Sequence, residues 1–213
     1  MNPSKYVVFE GPDLAGKTTV AKEVKLWLCK EHGIDSVYAP QPGSTALGAH
    51  LRHVIKHEER IEIGLETEAM LFALDQMAFV ENIALAAIDS GKWILSDRNN
   101  FVSALVYQTI NGVKASRLDG FYATIPTPKI DTIFLLQAQQ EKIAPRASSR
   151  EKKWDRYESN TEFMAKVFDA YDRLQEEHHD RLSRIARNCI PIDATRDVQV
   201  VLEEIKEHLF KLL

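Results

Sequence analysis

The residues with the clearest chemistry are the eight from Gly11 to Thr18, which fit the phosphate-binding pattern G-x-x-x-x-G-K-[ST]. Glycines let backbone N–H groups turn inward around a phosphate, and a following helix adds its positive N-terminal end. Lys17 supplies a mobile charge for the β- and γ-phosphates, and the Thr18 hydroxyl can ligate Mg²⁺. The pattern therefore predicts a nucleoside triphosphate site. Its expected contacts are Gly11, Pro12, Asp13, Leu14, Ala15, Gly16, Lys17, Thr18 and Thr19.

Asp13 is unusual inside such a loop, because a carboxylate repels phosphates unless it faces another group. We expect it to accept a hydrogen bond from a hydroxyl of a second substrate, such as a sugar 3′-OH. The alternative is local capping of the turn.

Asp97 and Arg98 stand side by side after a third apolar run, Trp93 to Ser96. Asp97 could hold Mg²⁺ through water, and Arg98 suits bidentate capture of a phosphate. The alternative is an ion pair on the surface.

Five cations lie within the eleven residues from Arg146 to Arg156. A charge run is usually a solvated face. This one follows a strand that should end at the nucleotide site, and it is rich in arginine and small residues. We therefore expect an arginine-bearing lid at about 140–158, which closes over the phosphates and excludes water.

The elements that must position these residues alternate between strand and helix. The expected strands are Tyr6–Phe9, Ser36–Ala39, Trp93–Ser96, Thr132–Leu136 and Asn188–Ile192, and the longest helices run from about Glu66 to Ser90 and from about Asn160 to Arg187. Such alternation predicts an α/β fold with a five-stranded parallel sheet covered by helices on both faces. Ligands then bind beyond the carboxyl ends of the strands. No repeat or linker interrupts the 213 residues, so we expect one domain over 1–213.

Composition narrows the function classes. The net charge of −4 argues against non-specific binding to nucleic acid, which needs a basic face. No apolar stretch approaches the roughly 20 residues of a membrane span, and no signal peptide precedes the first strand, so we expect no membrane. Cys29 and Cys189 are far apart and in no metal-ligand spacing, which favours two free thiols in the cytoplasm.

In sequence order, the chain resembles the thymidylate kinases over nearly its whole length. The stretch 9–19 is similar to that family's phosphate loop, including the acidic residue. The resemblance also implies the three-layer P-loop NTPase fold. Further stretches resemble the family's other motifs: Gln41–Thr45 with Leu51-Arg52, Asp97-Arg98 with Ser103, Tyr107 and Gln108, Asp155–Glu158, and Ile192–Thr195.

The resemblance implies a kinase that transfers a phosphoryl group from ATP to dTMP, with Mg²⁺, and that forms homodimers through helices beside the acceptor site. It implies that Asp13 contacts the sugar hydroxyl, that Arg98 and Arg52 hold the acceptor phosphate, and that Phe72 stacks on the base. Leu14 stands where one subgroup has an arginine, so the catalytic cation should come from the lid, as Arg146 or Arg150. The remaining implied contacts are Pro42, Gln76, Ser103, Tyr107 and Gln108 on the acceptor side and Ala194 and Thr195 at the adenine.

The departures from the family pattern all lie on the acceptor side. Gln41 replaces a glutamate, Pro40 stands where an arginine is common, and Gln76 falls where an arginine usually lies near the base. Asn99 and Asn100 replace an aromatic start, and the stretch after Arg98 is one residue longer. A kinase for another or a modified deoxynucleotide therefore stays open.

Four other classes also remain. A GTPase would need a guanine-reading N-K-x-D, and the stretch Pro128–Asp131 lacks the asparagine. A motor or transporter ATPase normally ends its second acidic motif in Asp-Glu, whereas Arg98 follows Asp97 here. A deoxynucleoside kinase would need a carboxylate base and no arginines for an acceptor phosphate. The last alternative is a nucleotide-binding protein without kinase activity.

Overall fold

The computed structural model describes residues 3–58, 62–147, 157 and 159–213. Its five strands form one parallel sheet in the order β2-β3-β1-β4-β5. They are β1 Tyr6–Glu10, β2 Ser36–Pro40, β3 Trp93–Asp97, β4 Ile130–Gln137 and β5 Ala186–Asp193. All five expected strands are confirmed, each extended by one or more residues.

Helices connect the strands and cover both faces of the sheet. They are α1 Lys17–His32, α2 Ala46–His57, α3 Leu65–Phe79, α4 Leu85–Asp89, α5 Asn100–Ile110, α6 Ala115–Tyr122, α7 Gln140–Ile143, α8 Thr161–Glu177, α9 His179–Ile185 and α10 Val198–Phe210. Successive strand residues point to opposite faces. Accordingly Tyr6 meets Phe79 of α3, whereas Phe9 stacks on Phe134, which meets His208 of α10. This three-layer arrangement is the P-loop NTPase fold.

The expected helix from about 160 to 187 is wrong at its C-terminal end. It breaks at His178, where ψ is 24°, and α9 then ends at Ile185. Residues 186 and 187 belong to β5, because β4 begins as early as Ile130 and pairs there with Ala186.

One helix also corrects the expectation that no stretch has the length of a membrane span. A π turn at Val80–Ala84 joins α3 and α4 into a continuous helix, Leu65–Asp89, with a mean hydropathy of 1.5 over its most apolar window. Half of that window is buried inside the fold. Asp75, in the middle of the helix, is fully buried and hydrogen-bonded to neighbouring segments. These contacts make it a core helix in this structure.

Most buried side chains of the sheet and of the helices packed on it form one continuous core. That continuity supports the single domain over 1–213, which we retain as a proposal. The strand ends that follow Glu10, Pro40 and Asp97 meet at one edge of the sheet. The candidate site lies at this edge.

Candidate functional site

The phosphate loop is held open by its two glycines. Gly11 has φ 145°, and a Cβ there would lie 2.3 Å from the carbonyl oxygen of Leu136 on β4. Gly16 has φ 91° and caps α1, which begins at Lys17. Both positions therefore need glycine. The Lys17 ammonium donates to the Pro12 carbonyl at 2.7 Å and so spans the loop.

Lys17 is buried, with 6% of its surface exposed. Burial and the positive charge of Arg98 lower its pKa, while Asp13, Asp97 and Glu10 act in the opposite direction, leaving the pKa at about 8. The ammonium is therefore still mostly protonated at neutral pH.

Thr18 and Asp97 lie beside each other at the start of α1. The Thr18 hydroxyl donates to Asp97 Oδ2, and the same oxygen accepts a hydrogen bond of 3.1 Å from the Tyr38 hydroxyl. Burial and the Asp97 charge raise the pKa of Tyr38 well above its usual range. Tyr38 therefore stays a neutral donor.

The side chains of Thr18 and Asp97 are suitable ligands for Mg²⁺. In nucleotide sites the ion typically takes one or two carboxylates from the protein, and phosphates and waters supply the remaining ligands. Across the described residues no group of three or more His, Cys, Asp or Glu side chains could hold a metal by itself.

Arg98 is the centre of a largely buried network next to the phosphate loop. Its Nη2 lies 2.8 Å from Asp13 Oδ1 and 3.3 Å from the Tyr107 hydroxyl, and its Nη1 lies 2.8 Å from the Tyr171 hydroxyl. Its φ of 76° is unusual for a side-chain-bearing residue. Such strain is typical of positions that a functional site constrains.

Glu10 is the buried carboxylate of this network. Its carboxylate is fully buried and lies 3.6 Å from Arg98 Nη1. It accepts four hydrogen bonds of 2.7–3.1 Å, from the backbone N–H groups of Gly11 and Asn99 and the hydroxyls of Ser103 and Tyr171. These four donors satisfy the hydrogen-bonding capacity of the buried carboxylate.

Asp13 is the second carboxylate in contact with Arg98. Burial alone would raise its pKa, but the charges of Arg98, Lys17 and Lys56 outweigh burial and hold the pKa well below its usual range. The Tyr107 hydroxyl also lies 3.3 Å from Asp13 Oδ2. Asp13 is therefore an anion with oxygens that accept hydrogen bonds toward the cavity.

A cavity of about 880 Å³ joins the phosphate loop to the Arg98 network. Its lining contains most of the predicted site residues: Asp13, Leu14, Gly16, Lys17, Thr18, Thr19, Pro42, Arg52, Phe72, Asp97, Arg98, Ser103, Tyr107, Gln108 and Arg146. Cationic side chains therefore lie along the walls of this cavity. The space can hold two anionic groups side by side.

Arg52 and Phe72 form one wall of this cavity. Arg52 Nη1 donates to the Pro42 carbonyl at 2.8 Å, which directs the α2 side chain toward the turn after β2. Phe72 is 8% exposed and packs with Ile55 and Tyr157 in a small apolar cluster of its own. The aromatic face is therefore available beside a guanidinium.

The turn after β2 is anchored by Asp75. Its oxygens accept from the Gly43 N–H at 3.0 Å and from the Asn100 amide at 2.7 Å. Burial raises the pKa of Asp75, and these two hydrogen bonds act against the increase. Gly48 of α2 passes so close that a Cβ there would lie 2.2 Å from Asp75 Oδ1.

Three predicted acceptor residues have contacts that the sequence did not indicate. Gln76 is 1% exposed and lies beside a second cavity, where its amide nitrogen is 3.4 Å from the Thr127 hydroxyl. Ser103 reaches the large cavity but directs its hydroxyl to Glu10. Gln108 also lines the large cavity, and its buried Oε1 has no hydrogen-bond partner among the described residues.

The expected lid is described only in part. Residues 148–156 and 158, which include Arg150, lie outside the described residues. Arg146 lines the cavity from the lid side and donates to the carbonyls of Leu14 at 3.3 Å and Arg196 at 3.1 Å.

The predicted adenine contacts lie next to that end of the cavity. Thr195 donates through both its N–H and its hydroxyl to Asp193, and Ala194 is buried. Val198, just beyond them, is the residue that reaches the cavity lining together with Arg146.

Sequence reasoning missed five residues of the site. Glu10 directly precedes the phosphate loop, and its charge at the end of an apolar strand was a signal that could have been used. Tyr38, Lys56, Asp75 and Tyr171 carry no motif; they reach the site only through the fold.

This fold and phosphate loop define a P-loop NTPase, with an arginine network in the wall of its cavity. The sequence profile described as "Thymidylate kinase" matches residues 9–205. The chain belongs to the thymidylate kinase family.

Several curated relatives carry the same name. A "Thymidylate kinase" of Bradyrhizobium sp. is 31% identical over 215 residues, covering 97% of this chain and 91% of the relative. Another, of Enterococcus faecalis, is 30% identical over 209 residues, covering 95% and 98%. A third, of Caldicellulosiruptor saccharolyticus, is 28% identical over 211 residues, covering 98% and 97%. The similarity therefore extends over nearly the full length of each pair.

Proposed function

We propose that this protein transfers the γ-phosphoryl group of ATP to dTMP, or to a closely related deoxynucleoside monophosphate, and so forms a diphosphate and ADP. Membership of the thymidylate kinase family supports the reaction class. The observation that carries the proposal is one cavity lined both by Lys17 of the phosphate loop and by two further cations, Arg52 and Arg98.

ATP binds at the phosphate loop in this proposal. The loop N–H groups and the N-terminus of α1 surround the phosphates, and Lys17 contacts the β- and γ-phosphates. Ala194 and Thr195 contact the adenine. Thr18 and Asp97 would hold Mg²⁺, and the bound ion would supply positive charge that neutralises the phosphate oxygens.

The acceptor nucleotide binds in the same cavity. Arg98 and Arg52 hold its phosphate, and Phe72 stacks on the base. Asp13 accepts a hydrogen bond from the 3′-hydroxyl, a role supported by its ionised carboxylate. Pro42, Ser103, Tyr107 and Gln108 complete the walls.

Positioning and charge neutralisation do most of the catalytic work. Both substrates are anions, and cations that bring them together lower the repulsion between them. An acceptor phosphate with a second pKa near 6 is already largely deprotonated at pH 7, so no strong general base is needed. Arg146 or Arg150 supplies the cation that stabilises the transferring group, and the contact of Arg146 with Leu14 supports this position.

The identity of the base is the open part of the proposal. Gln76 replaces an arginine that thymidylate kinases usually have near the base, and it lies beside the second cavity. A related or modified pyrimidine deoxynucleotide is therefore the second candidate acceptor.

One assay tests these assignments. ADP release is measured with ATP, Mg²⁺ and a panel of dTMP, dUMP, dCMP, 5-substituted deoxyuridylates, and the matching nucleosides. We expect turnover with dTMP or a related monophosphate and none with nucleosides. Turnover with nucleosides alone would indicate a nucleoside kinase, and no turnover with any acceptor would indicate a binding protein.

We further propose a homodimer formed through the helix Leu65–Asp89. Four large apolar side chains on this helix are between 44% and 55% exposed: Leu65, Met70, Leu74 and Leu85. An exposed apolar surface of this kind often marks a site of contact with another protein. Light scattering of the purified protein should give twice the mass of 24.2 kDa.

We also propose a cytoplasmic location. Cys29 and Cys189 are both free thiols, which supports it.

A further inference from the structure

The second cavity has a lining of a different kind from the nucleotide cavity. It measures about 280 Å³ and lies between α3, α5, α6, α9 and the segment that leads into β4. Its lining residues are Gln76, Asn99, Phe101, Asp119, Tyr122, Ala123, Ile125, Thr127, Pro128, Lys129, Arg181, Arg184 and Ile185. None of the functions proposed above uses it.

One carboxamide in this lining, that of Gln76, makes only long hydrogen bonds. It is 1% exposed, yet its contacts with Asn99 and Thr127 are 3.5 Å and 3.4 Å long. Distances near 3.5 Å are at the limit for a hydrogen bond. Asn99, by contrast, is engaged, because its Oδ1 accepts from the N–H groups of Phe101 and Val102 at the start of α5. The Gln76 amide can therefore offer a donor and an acceptor to a ligand with matching N–H and C=O groups.

A second polar group in this lining is the hydroxyl of Tyr122. The buried Tyr122 hydroxyl makes no hydrogen bond with any residue that the structure describes. Its ring lies 5.0 Å from that of Phe101, so the cavity also presents aromatic surface. Buried polar groups in native proteins are almost always paired, and an unpaired one calls for a water or a ligand.

Positive charge predominates in the lining. Lys129, Arg181 and Arg184 face a single carboxylate, Asp119, which is engaged by Arg181 in hydrogen bonds of 2.9–3.1 Å. Arg184 makes a hydrogen bond through Nε to the Asp180 carbonyl on its own helix, so its outer N–H groups can reach a ligand. Guanidinium groups favour carboxylates and phosphates.

We propose that this cavity is a second ligand site, which binds a pyrimidine ring carrying an anionic substituent. The Gln76 amide pairs with the N–H and C=O edge of the ring, and Phe101 contacts its face. Tyr122 and Arg184 contact the anionic group. The volume is just below the usual range for ligand pockets, which suits one six-membered ring with a small substituent.

Methyl NMR can test the site without any turnover. Isoleucine δ1 methyl groups are labelled, because Ile125 and Ile185 line the second cavity, whereas Ile55 packs on Phe72 beside the acceptor end. Orotate is titrated as the probe. We expect saturable shifts of Ile125 and Ile185 with one common Kd and none of Ile55. No shift of the first two, or shifts of Ile55 alone, would overturn the proposal.

Two variants and three further probes sharpen the test. Arg184→Ala should weaken orotate binding about tenfold and Tyr122→Phe about fivefold. Arg173→Ala, an exposed arginine on α8, is the charge-matched control and should have no effect. Tyr122→Phe removes a hydroxyl without a partner among the described residues, so the fold should keep its stability. Unchanged binding in both variants would contradict the proposed contacts.

The probes separate the parts of the ligand. Uracil lacks the charge and benzoate lacks the ring amide groups, so both should bind more weakly than orotate. Equal binding of either one would refute the corresponding contact. dUMP carries phosphate in place of carboxylate. If the shifts of Ile125 and Ile185 give a lower Kd for dUMP than for orotate, the natural ligand is a nucleotide. A lower Kd for orotate indicates a free pyrimidine acid.

Discussion

Arg98 and Asp13 form an ion pair of 2.8 Å across the wall of the nucleotide cavity. In the proposed mechanism these residues bind different parts of the acceptor, the phosphate and the 3′-hydroxyl. Without nucleotide they satisfy each other, so the guanidinium is held in place before the acceptor arrives. Such preorganisation lowers the cost of binding.

Replacement of Asp13 separates its two candidate roles. We expect Asp13→Ala to raise the KM for the acceptor much more than the KM for ATP, because the sugar contact and the ion pair to Arg98 are lost together. Steady-state kinetics with each substrate varied in turn measures the difference. Equal increases for both substrates would favour turn capping.

Tyr171 positions Arg98 from a distant part of the chain. Its hydroxyl accepts from Arg98 and donates to Glu10, and its side chain is fully buried. We expect Tyr171→Phe to raise the acceptor KM several-fold and to cost about 1–3 kcal/mol of stability. The KM for ATP should not change.

A purely structural role for Tyr171 predicts a different pattern. The stability would fall, but the ratio of the two KM values would stay as in the unaltered protein. The comparison with Thr109→Val is useful, because within the described part of the chain the Thr109 hydroxyl donates only to carbonyls of its own helix, those of Leu105 and Val106. That variant should leave both KM values unchanged.

The lid arginines should affect turnover more than binding. We expect Arg146→Ala or Arg150→Ala to lower kcat by at least roughly 100-fold, by analogy with arginine fingers, with little change in the melting temperature. Arg173→Ala serves as the control. Near-normal kcat in both single variants would reject the assignment of the catalytic cation to the lid.

The Mg²⁺ assignment predicts a shift in metal dependence. Asp97→Asn keeps the shape of the side chain and removes its charge, so the Mg²⁺ concentration for half-maximal activity should rise at least about tenfold. Titration of Mg²⁺ at saturating ATP measures it. An unchanged Mg²⁺ requirement would show that Asp97 only holds Thr18 and Tyr38 in place.

Cys189 gives a pH-dependent test of the packing between β4 and β5. Burial raises the pKa of its thiol to about 11, and the charge of Glu10 adds to the effect. Only the thiolate reacts with disulfide reagents. Labelling with such a reagent should therefore have a fast phase from the exposed Cys29 and a slow phase from Cys189.

The slow phase has a defined pH response. Because the pKa lies above the experimental range, its rate should rise about tenfold per pH unit between pH 7 and 9. The variant Cys29→Ser should remove the fast phase alone. A rapid, pH-independent reaction of Cys189 would contradict its buried position.

The sequence predicted the sheet and the phosphate loop because both depend on local patterns. The spacing of Gly11, Gly16 and Lys17 requires no distant partner, and each strand is a short apolar run. The environment of Arg98 was not predictable in the same way. Tyr171 lies 73 residues away, and no local feature indicates that its hydroxyl reaches the guanidinium.

Gln76 shows why the contacts of a side chain are not predictable from resemblance alone. Its position in the sequence suggested the acceptor base, whereas its amide lies within reach of Thr127 and Asn99 at the second cavity. The orientation is decided by partners on two other segments. The end of the helix near residue 185 is a similar case, since pairing with β4 determines it.

The close approach of Gly48 on α2 to Asp75 on α3 links the fit of the substrate to the spacing of these two helices. A methyl group at residue 48 would push the Asp75 carboxylate away from Gly43 and Asn100, and so release the turn beside Arg52. The absence of a side chain at Gly48 thus lets Asp75 hold the Gly43 turn, which lines the nucleotide cavity. Attempts to enlarge this cavity for bulkier bases should therefore alter Phe72 and its neighbours, and keep the glycine.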